Sequence, residues 1–376
     1  MAQPRSRRVL ANDFAAQWEE IRADAQAALE RVGQSGRLVL GEEVRLFEDR
    51  LADWWGVDHA VGVASGLDAL EIALRCAGVG PGDRVVTTPL TAFATTLAIL
   101  RAGAEPVWCD VDSSGALDLT AASDAIAGDG SIRAVVPVHL YGHPMDPVAL
   151  AAVGARHGIA VIEDCAQSAG ARRASRPTGC AGAIAATSLY PTKNLGAMGD
   201  GGVLLTDDAG VAERARMLRN YGQQRQHHHV ERGLNSRLDE VHAAILRSAL
   251  LPRLDDWLDR RSAVAARYAE ALAGSLLQPI GPTGGVSSNH LFAVEIIADA
   301  DPETCAEQLT AAGVSIGRHY PVLCPDQPAC ESVGVVCGDL PVARRIARRE
   351  LSLPLHPQLD DGAVDHVIAA CLALAA

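Results

Sequence analysis

The chain has 376 residues and carries 33 Lys+Arg against 46 Asp+Glu, a formal charge of −13. Its length accommodates one large domain or two ordinary ones, and 48% hydrophobic against 21% charged residues is a globular composition rather than a disordered one. Net acidity disfavours nucleic acid, whose binding rests on neutralised phosphates; the basic start (Arg5, Arg7, Arg8) has no apolar h-region behind it; and the apolar windows Leu90–Leu100 and Val367–Ala376 are too short to span a bilayer.

Residues 1–36 read as a helical arm, with its helix over Phe14–Val32, expected to pack on a smaller domain or on a partner subunit. Short apolar runs then alternate with amphipathic stretches. The expected strands are Ala60–Ala64, Arg84–Thr88, Pro106–Cys109, Ala134–Val138, Ala160–Glu163, Ala185–Leu189 and Val203–Thr206. Helices are expected over Asp68–Ala77, Ala92–Ala102, Pro147–His157 and Ala209–Asn220. Such alternation predicts a three-layer α/β domain with a mostly parallel sheet, covered on both faces. From Ser236 to about Gly274 the pattern is one long helical stretch. Beyond Pro282 it reads strand, helix, loop, helix, with a proline-rich connection between Tyr320 and Pro328. The expected organisation is a large domain over 37–250 and a smaller C-terminal α+β domain over 251–376.

Nine cysteines are scattered along the chain with no Cys-x-x-Cys pair. Neither a disulfide framework nor a zinc ribbon is indicated, and Cys324, Cys330 and Cys337 read as small hydrophobes. The run His227-His228-His229 reads as an exposed loop, and His139 and His143 as packing and turn residues, so no metal is expected. The expectation is a soluble, cytoplasmic protein.

Among the 33 cationic side chains there is one lysine, Lys193. It stands in Ser188-Leu189-Tyr190-Pro191-Thr192-Lys193, after an expected strand and before the glycine-rich Gly196–Gly202. The glycines follow the lysine, so this is neither a dinucleotide fingerprint nor a phosphate loop. Asp164 lies at the end of another expected strand, where ligands of open α/β sheets bind. A lysine beside a buried carboxylate, with hydroxyls and glycines nearby, fits a pyridoxal phosphate site. The aldehyde needs an amine, the ring nitrogen a carboxylate, and the phosphate a helix start such as Ser65-Gly66-Leu67. Phe93 opens the next helix and is placed either to stack on the ring or to pack in the core.

Together these segments resemble the DegT/StrS family of pyridoxal-phosphate-dependent sugar aminotransferases, within the fold-type-I aminotransferases. The resemblance runs through Gly41-Glu42-Glu43-Val44, Ser65-Gly66, Val138-His139-Leu140-Tyr141-Gly142-His143-Pro144, Glu163-Asp164-Cys165-Ala166-Gln167 and Tyr190–Gly196. It continues through Gly199–Gly202, Arg219–Gly222, Asn235–Glu240, Gly317–Pro321 and Leu351–Pro357. It implies that Lys193 takes up the cofactor aldehyde and later moves a proton between substrate and cofactor. Asp164 then faces the ring nitrogen, Gln167 the ring hydroxyl, and Phe93 the ring face. Ser65, Ser188 and the backbone at Gly66 and Leu67 hold the phosphate. Asn235 reaches the phosphate in the neighbouring subunit, so a homodimer shares its active sites. Tyr190, His229, Arg237, His319 and Tyr320 face the substrate.

The sequence departs from the family pattern at Leu67, where Thr is usual, at Leu189, where Phe is usual, and at Leu323 and Pro325 in the proline-rich loop. Losing one charge-assisted hydrogen bond at position 67 costs about 1.5–3 kcal/mol of cofactor affinity. The implied reaction is amino transfer from glutamate or glutamine to a keto sugar, nucleotide-linked. A free ketocyclitol or keto sugar is the enzymatic alternative, and a non-catalytic regulator that binds the cofactor is the alternative of another class. Lys193 argues against the family's dehydratase branch, where a histidine stands in its place.

Overall fold

The apolar runs assemble into one eight-stranded sheet in the computed structural model, which describes residues 8–297 and 300–374. Arg5, Arg7, the first seven residues of the arm and the last two of the Val367–Ala376 window lie outside the described residues. The sheet contains β1 (His59–Val63), β2 (Arg84–Thr87), β3 (Glu105–Trp108), β4 (Ile132–Val136), β5 (Ala160–Asp164), β8 (Ile184–Ser188), β9 (Gly202–Thr206) and β14 (Val335–Val336). Their order is β1-β9-β8-β5-β4-β2-β3-β14, and β9 alone runs antiparallel to its neighbours. Two short hairpins stand apart, β6 (Arg172–Arg173) with β7 (Arg176–Pro177) and β10 (Gln223–Arg225) with β11 (His228–His229). A second, antiparallel sheet joins β12 (Leu277–Pro279), β13 (Phe292–Ile296) and β15 (Glu350–Leu353).

Both faces of the large sheet are covered, and alternation shows it. In β9, Leu204 packs into one core with α3 (Gly66–Cys76), α4 (Phe93–Arg101) and α7 (Ala209–Leu218), while Val203 and Leu205 pack into another with α1 (Phe14–Ser35), α2 (Glu42–Trp55) and α8 (Glu240–Ile245). Further along that second face, Val135 and Val161 meet α5 (Leu119–Gly128) and α6 (Pro147–His157). The small sheet packs with α9 (Leu254–Ala271), α10 (Pro302–Ala311) and α12 (Asp361–Leu372), and α11 (Pro341–Arg349) leads into β15.

The structure adds detail to the arm and changes two expectations beyond it. The arm helix is capped by Asp13, which accepts from the Ala16 amide, and buries Ile21, Ala25, Ala28 and Val32. That stripe packs on α2 and α8 of the same chain, while the helix also reaches the start of the small domain, where Glu20 accepts from Trp257 Nε1 at 3.0 Å and Asp24 from Arg253 at 2.8 Å, and Val9, before the helix, bridges to Val314 beside the small sheet. The long helical stretch is continuous but not one α-helix: after α8 come a π-turn at Leu246–Leu250 and a 3₁₀ turn at Leu251–Arg253. Pro252 has no N–H to give and its ring crowds the preceding turn, so the ladder shifts there. Finally α5, capped by Asp118, and the edge strand β14 occupy stretches that carry no strong periodicity.

Candidate active site

The residues expected to carry chemistry converge at the carboxyl edge of the large sheet. After β1 the chain turns through Ser65 into α3, and Ser65 Oγ accepts from the Asp68 amide at 3.1 Å. The amides at Gly66 and Leu67 therefore stand at a helix N-terminus. Side chains are excluded around them. A Cβ on Gly66 would lie 2.7 Å from Ser188 Cβ, and one on Gly202 only 2.2 Å from the Ser65 carbonyl oxygen. Bare backbone thus lines a cradle closed by Ser65 and Ser188.

β5 ends on Asp164, which is 4% exposed. Its Oδ2 accepts from Thr95 Oγ1 at 2.8 Å and its Oδ1 from the Ala166 amide at 3.0 Å. Burial raises its pKa; both donors and the Lys193 charge pull the other way. Lys193 sits on a turn closed by its own N–H to the Tyr190 carbonyl at 2.8 Å. Its residue surface is half-buried, but the amine is enclosed: burial lowers its pKa to about 8, opposed by Asp164. The amine has no hydrogen-bond partner among the described residues. An amine so placed reaches its neutral, nucleophilic form near neutral pH.

Gln167 is fixed at both ends, accepting from the Tyr141 amide at 2.7 Å and donating to Tyr320 Oη at 3.1 Å. Tyr141 Oη donates to the His319 carbonyl at 2.7 Å. These bonds pin the His319–Tyr320 loop against the sheet edge. Burial, with the Lys193 charge behind it, pushes the His319 ring down to about 4; His290 is held well below its ordinary value by burial and the same lysine. Phe93 is half-buried at the start of α4, against Trp108, Cys324 and Cys330.

A second group does not join the first within one chain. Asn235 is exposed; Arg237 donates to Asn220 Oδ1 at 3.0 Å and lies 5.2 Å over the Tyr221 ring. His229, on an exposed hairpin, bonds the Tyr221 carbonyl at 3.0 Å. Tyr190 is 51% exposed. Apart from the backbone bond between the Lys193 amide and the Tyr190 carbonyl, no hydrogen bond among the described residues links these four to Lys193 or Asp164.

His139, Glu163 and Cys165 bring their ligand atoms within 4.8 Å of one another. Both imidazole nitrogens are already engaged: Nδ1 accepts from the Met145 amide, and Nε2 donates to Glu163 at 2.9 Å. The pair clamps β4 to β5 beneath Asp164, whose amide donates to the Pro137 carbonyl at 2.9 Å. Thr95, Tyr141 and His290 are parts of the site that the sequence reading missed. Thr95 alone carried a signal, a hydroxyl in the first turn of the helix that Phe93 opens.

The donor set fits pyridoxal phosphate: an enclosed, unpartnered amine, a buried carboxylate, and a side-chain-free cradle at a helix N-terminus. The sequence profile described as the DegT/DnrJ/EryC1/StrS aminotransferase family matches residues 19–372. The dTDP-3-amino-3,4,6-trideoxy-alpha-D-glucose transaminase of Streptomyces venezuelae is 43% identical over 350 residues, 93% of this chain and 91% of that protein. The erythromycin biosynthesis sensory transduction protein EryC1 of Saccharopolyspora erythraea is 42% identical, covering 95% of this chain and 97% of that one. A crystal structure of S. venezuelae DesV in complex with a ketimine intermediate superposes with TM-score 0.92 at 43% identity, over 96% of this chain and 97% of that one. The chain belongs to the DegT/DnrJ/EryC1/StrS aminotransferase family.

Proposed function

We propose that the chain is a pyridoxal-phosphate-dependent aminotransferase that moves an amino group from glutamate or glutamine to a nucleotide-linked keto sugar in amino-sugar or antibiotic biosynthesis. The acceptor class is a dTDP-keto-deoxysugar with its ketone at C3, supported by the names of relatives such as the S. venezuelae transaminase. The observation that carries the reading is the sole lysine, enclosed beside buried Asp164 at the sheet's carboxyl edge.

Pyridoxal phosphate bound there supplies an electrophilic aldehyde and an electron-withdrawing ring. Lys193 would present its amine to the aldehyde and would hold and move a proton at Nζ. Asp164 would hold its charge opposite the ring nitrogen, and Gln167 would orient the ring hydroxyl. Phe93 would cover the ring face. Ser65, Ser188 and the Gly66 and Leu67 amides hold the phosphate, with no hydroxyl from Leu67. Tyr190, His229, Arg237, His319 and Tyr320 shape the acceptor site. The large domain (37–250) carries this chemistry, the arm (1–36) braces it, and the small domain (251–376) brings the His319–Tyr320 loop.

The test is a half-reaction. Holoenzyme given excess glutamate or glutamine is expected to lose its visible absorbance, and one acceptor from a panel of 3-keto and 4-keto sugars, free and nucleotide-linked, to restore it. Recovery with a free ketocyclitol alone moves the acceptor to the non-nucleotide class. A spectrum unmoved by both donors favours a cofactor-binding regulator, a reading that relatives called a sensory transduction protein and a pleiotropic regulatory protein keep in view.

A shared site has its own test. Asn235 is exposed in the single chain, as a residue serving a neighbouring subunit requires. Asn235→Ala mixed in equal amounts with Lys193→Ala is expected to recover about a quarter of wild-type activity, from hybrid dimers with one intact site. No recovery after demonstrated subunit exchange places Asn235 outside the partner's site.

A further inference from the structure

β15 places two buried side chains behind the His319–Tyr320 loop that none of the roles above uses. Glu350 is 1% exposed and Ser352 4%. Gly317 and Ser352 exchange backbone hydrogen bonds of 3.0 and 2.9 Å, so the loop is stitched to the strand. Glu350 Oε2 accepts from the His319 amide at 2.6 Å, and its Oε1 accepts from the Ser352 hydroxyl. Ser352 Oγ lies 2.8 Å from His319 Nδ1. Ser352 has one proton and gives it to Glu350, so Nδ1 must be the donor to Ser352 Oγ. The ring is thereby held as the Nδ1–H tautomer, with an unprotonated Nε2 that has no partner among the described residues.

We propose that His319, Ser352 and Glu350 form a proton relay serving the Lys193 site. A proton accepted at His319 Nε2 releases the Nδ1 proton to Ser352 Oγ, whose own proton passes to Glu350 Oε1. Three bonds to hydrogen form (Nε2–H, Oγ–H, Oε1–H) and two break (Nδ1–H and the original Oγ–H), for a net uptake of one proton. The imidazole ends neutral as the other tautomer, and no imidazolium is held beside the lysine. Glu350 is then a positioning residue that acts through Ser352.

The electrostatics agree. Burial and the Lys193 charge push His319 down to about 4, whereas burial pushes Glu350 up to about 7. Near neutrality the carboxylate, not the ring, is the resting place for the proton. Around Glu350, Arg318 lowers its pKa but spends its guanidinium on Glu303 at 2.7 Å and on the Ala347 and Arg348 carbonyls. Glu295 lies opposite on β13 and pairs with Arg345 at 3.2 Å, while Tyr141 and Tyr320 face Glu350 as neutral phenols. The charge of Lys193 acts on the ring, and the ring in turn acts on His290.

The benefit to turnover rests on the aminotransferase reading; the tautomer does not. The measurement is ¹⁵N NMR of histidine-labelled holoenzyme, the His319 signals being identified by their loss in His319→Gln. Wild type is expected as Nδ1–H well above about 7 and as Nε2–H well below it. In Glu350→Gln the amide carbonyl keeps the His319 N–H and the NH₂ faces Ser352. The hydroxyl then turns to Nδ1 and fixes Nε2–H throughout the neutral range. That variant is also expected to lose the acid limb of its kcat/KM profile near neutrality and to fall on the order of 10²-fold at its plateau. Ser352→Ala cuts the relay while sparing the carboxylate, and its ring is expected to keep one tautomer throughout. The relay is overturned by a wild-type ring that keeps one tautomer through neutrality, by one that becomes imidazolium there, or by a Glu350→Gln protein with wild-type spectra. A pH-switching tautomer in a protein that transfers no amino group would instead overturn the reading of the site.

Discussion

Lys193→Ala is expected to leave the chain without any side-chain amine that borohydride can fix to pyridoxal phosphate, because no second lysine exists. Turnover falls by on the order of 10⁴-fold, the range that one positioned acid–base group commands. A reduced, labelled peptide from any other part of the chain would remove Lys193 from its role. The lowered pKa adds a second readout. Capture of the aldehyde needs the neutral amine, so its rate in wild-type apoprotein rises with pH and levels off above about 8, well short of the ordinary 10.5. The same shift is a stability statement. With the folded pKa at about 8 and the ordinary value at 10.5, the unfolded chain holds more protons between them, so the lysine's contribution rises with pH across that window. Below it the buried ammonium costs up to about 3 kcal/mol. Lys193→Met apoprotein is therefore expected to unfold at higher denaturant than wild type at neutral pH, with the gap closing at alkaline pH. Parallel denaturation curves at both pH values check the sign.

Asp164→Asn is expected to fold and to lose 10²- to 10⁴-fold in turnover, because a neutral amide does not keep the ring nitrogen charged. The local hydrogen bonds tolerate the exchange. The Ala166 amide is a fixed donor at 3.0 Å, so the new carbonyl keeps it and the NH₂ group faces Thr95. The Thr95 hydroxyl then accepts, turning its proton toward Thr91 Oγ1, 3.0 Å away. Asp164 is also the charge that holds the Lys193 pKa up. In the variant the midpoint for cofactor capture therefore moves to lower pH. A midpoint that moves up, or near-normal turnover, contradicts the assignment.

Much of this site was legible because its signals are local. Lys193 is singular in composition, and Asp164 terminates a β-branched run. The helix Pro147–His157 is announced by Asp146 as its cap and Gly158 as its left-handed stop, and the structure matches it residue for residue. Tertiary partnerships were not legible. Thr95 meets Asp164 across 69 positions of sequence and Tyr141 meets His319 across 178, distances at which no periodicity speaks. The Ser236–Gly274 stretch misled in another way: side-chain spacing reports which face is apolar but not whether the hydrogen bonds beneath run four or five residues back. Val335–Val336 joins the large sheet from a stretch too short and too rich in glycine to read as a strand.

The reversed strand β9 has one last consequence. Because it runs against the other seven, it delivers its first residue, Gly202, to the edge where they deliver their last, paired with Val63 on one side and Ser188 on the other. A side chain there meets the Ser65 main chain, which no rotamer change relieves. A side chain at 202 is expected to displace the Ser65 main chain that holds the cofactor's phosphate, whereas Leu67 offers a side chain that substitution can alter while the backbone donors stay in place.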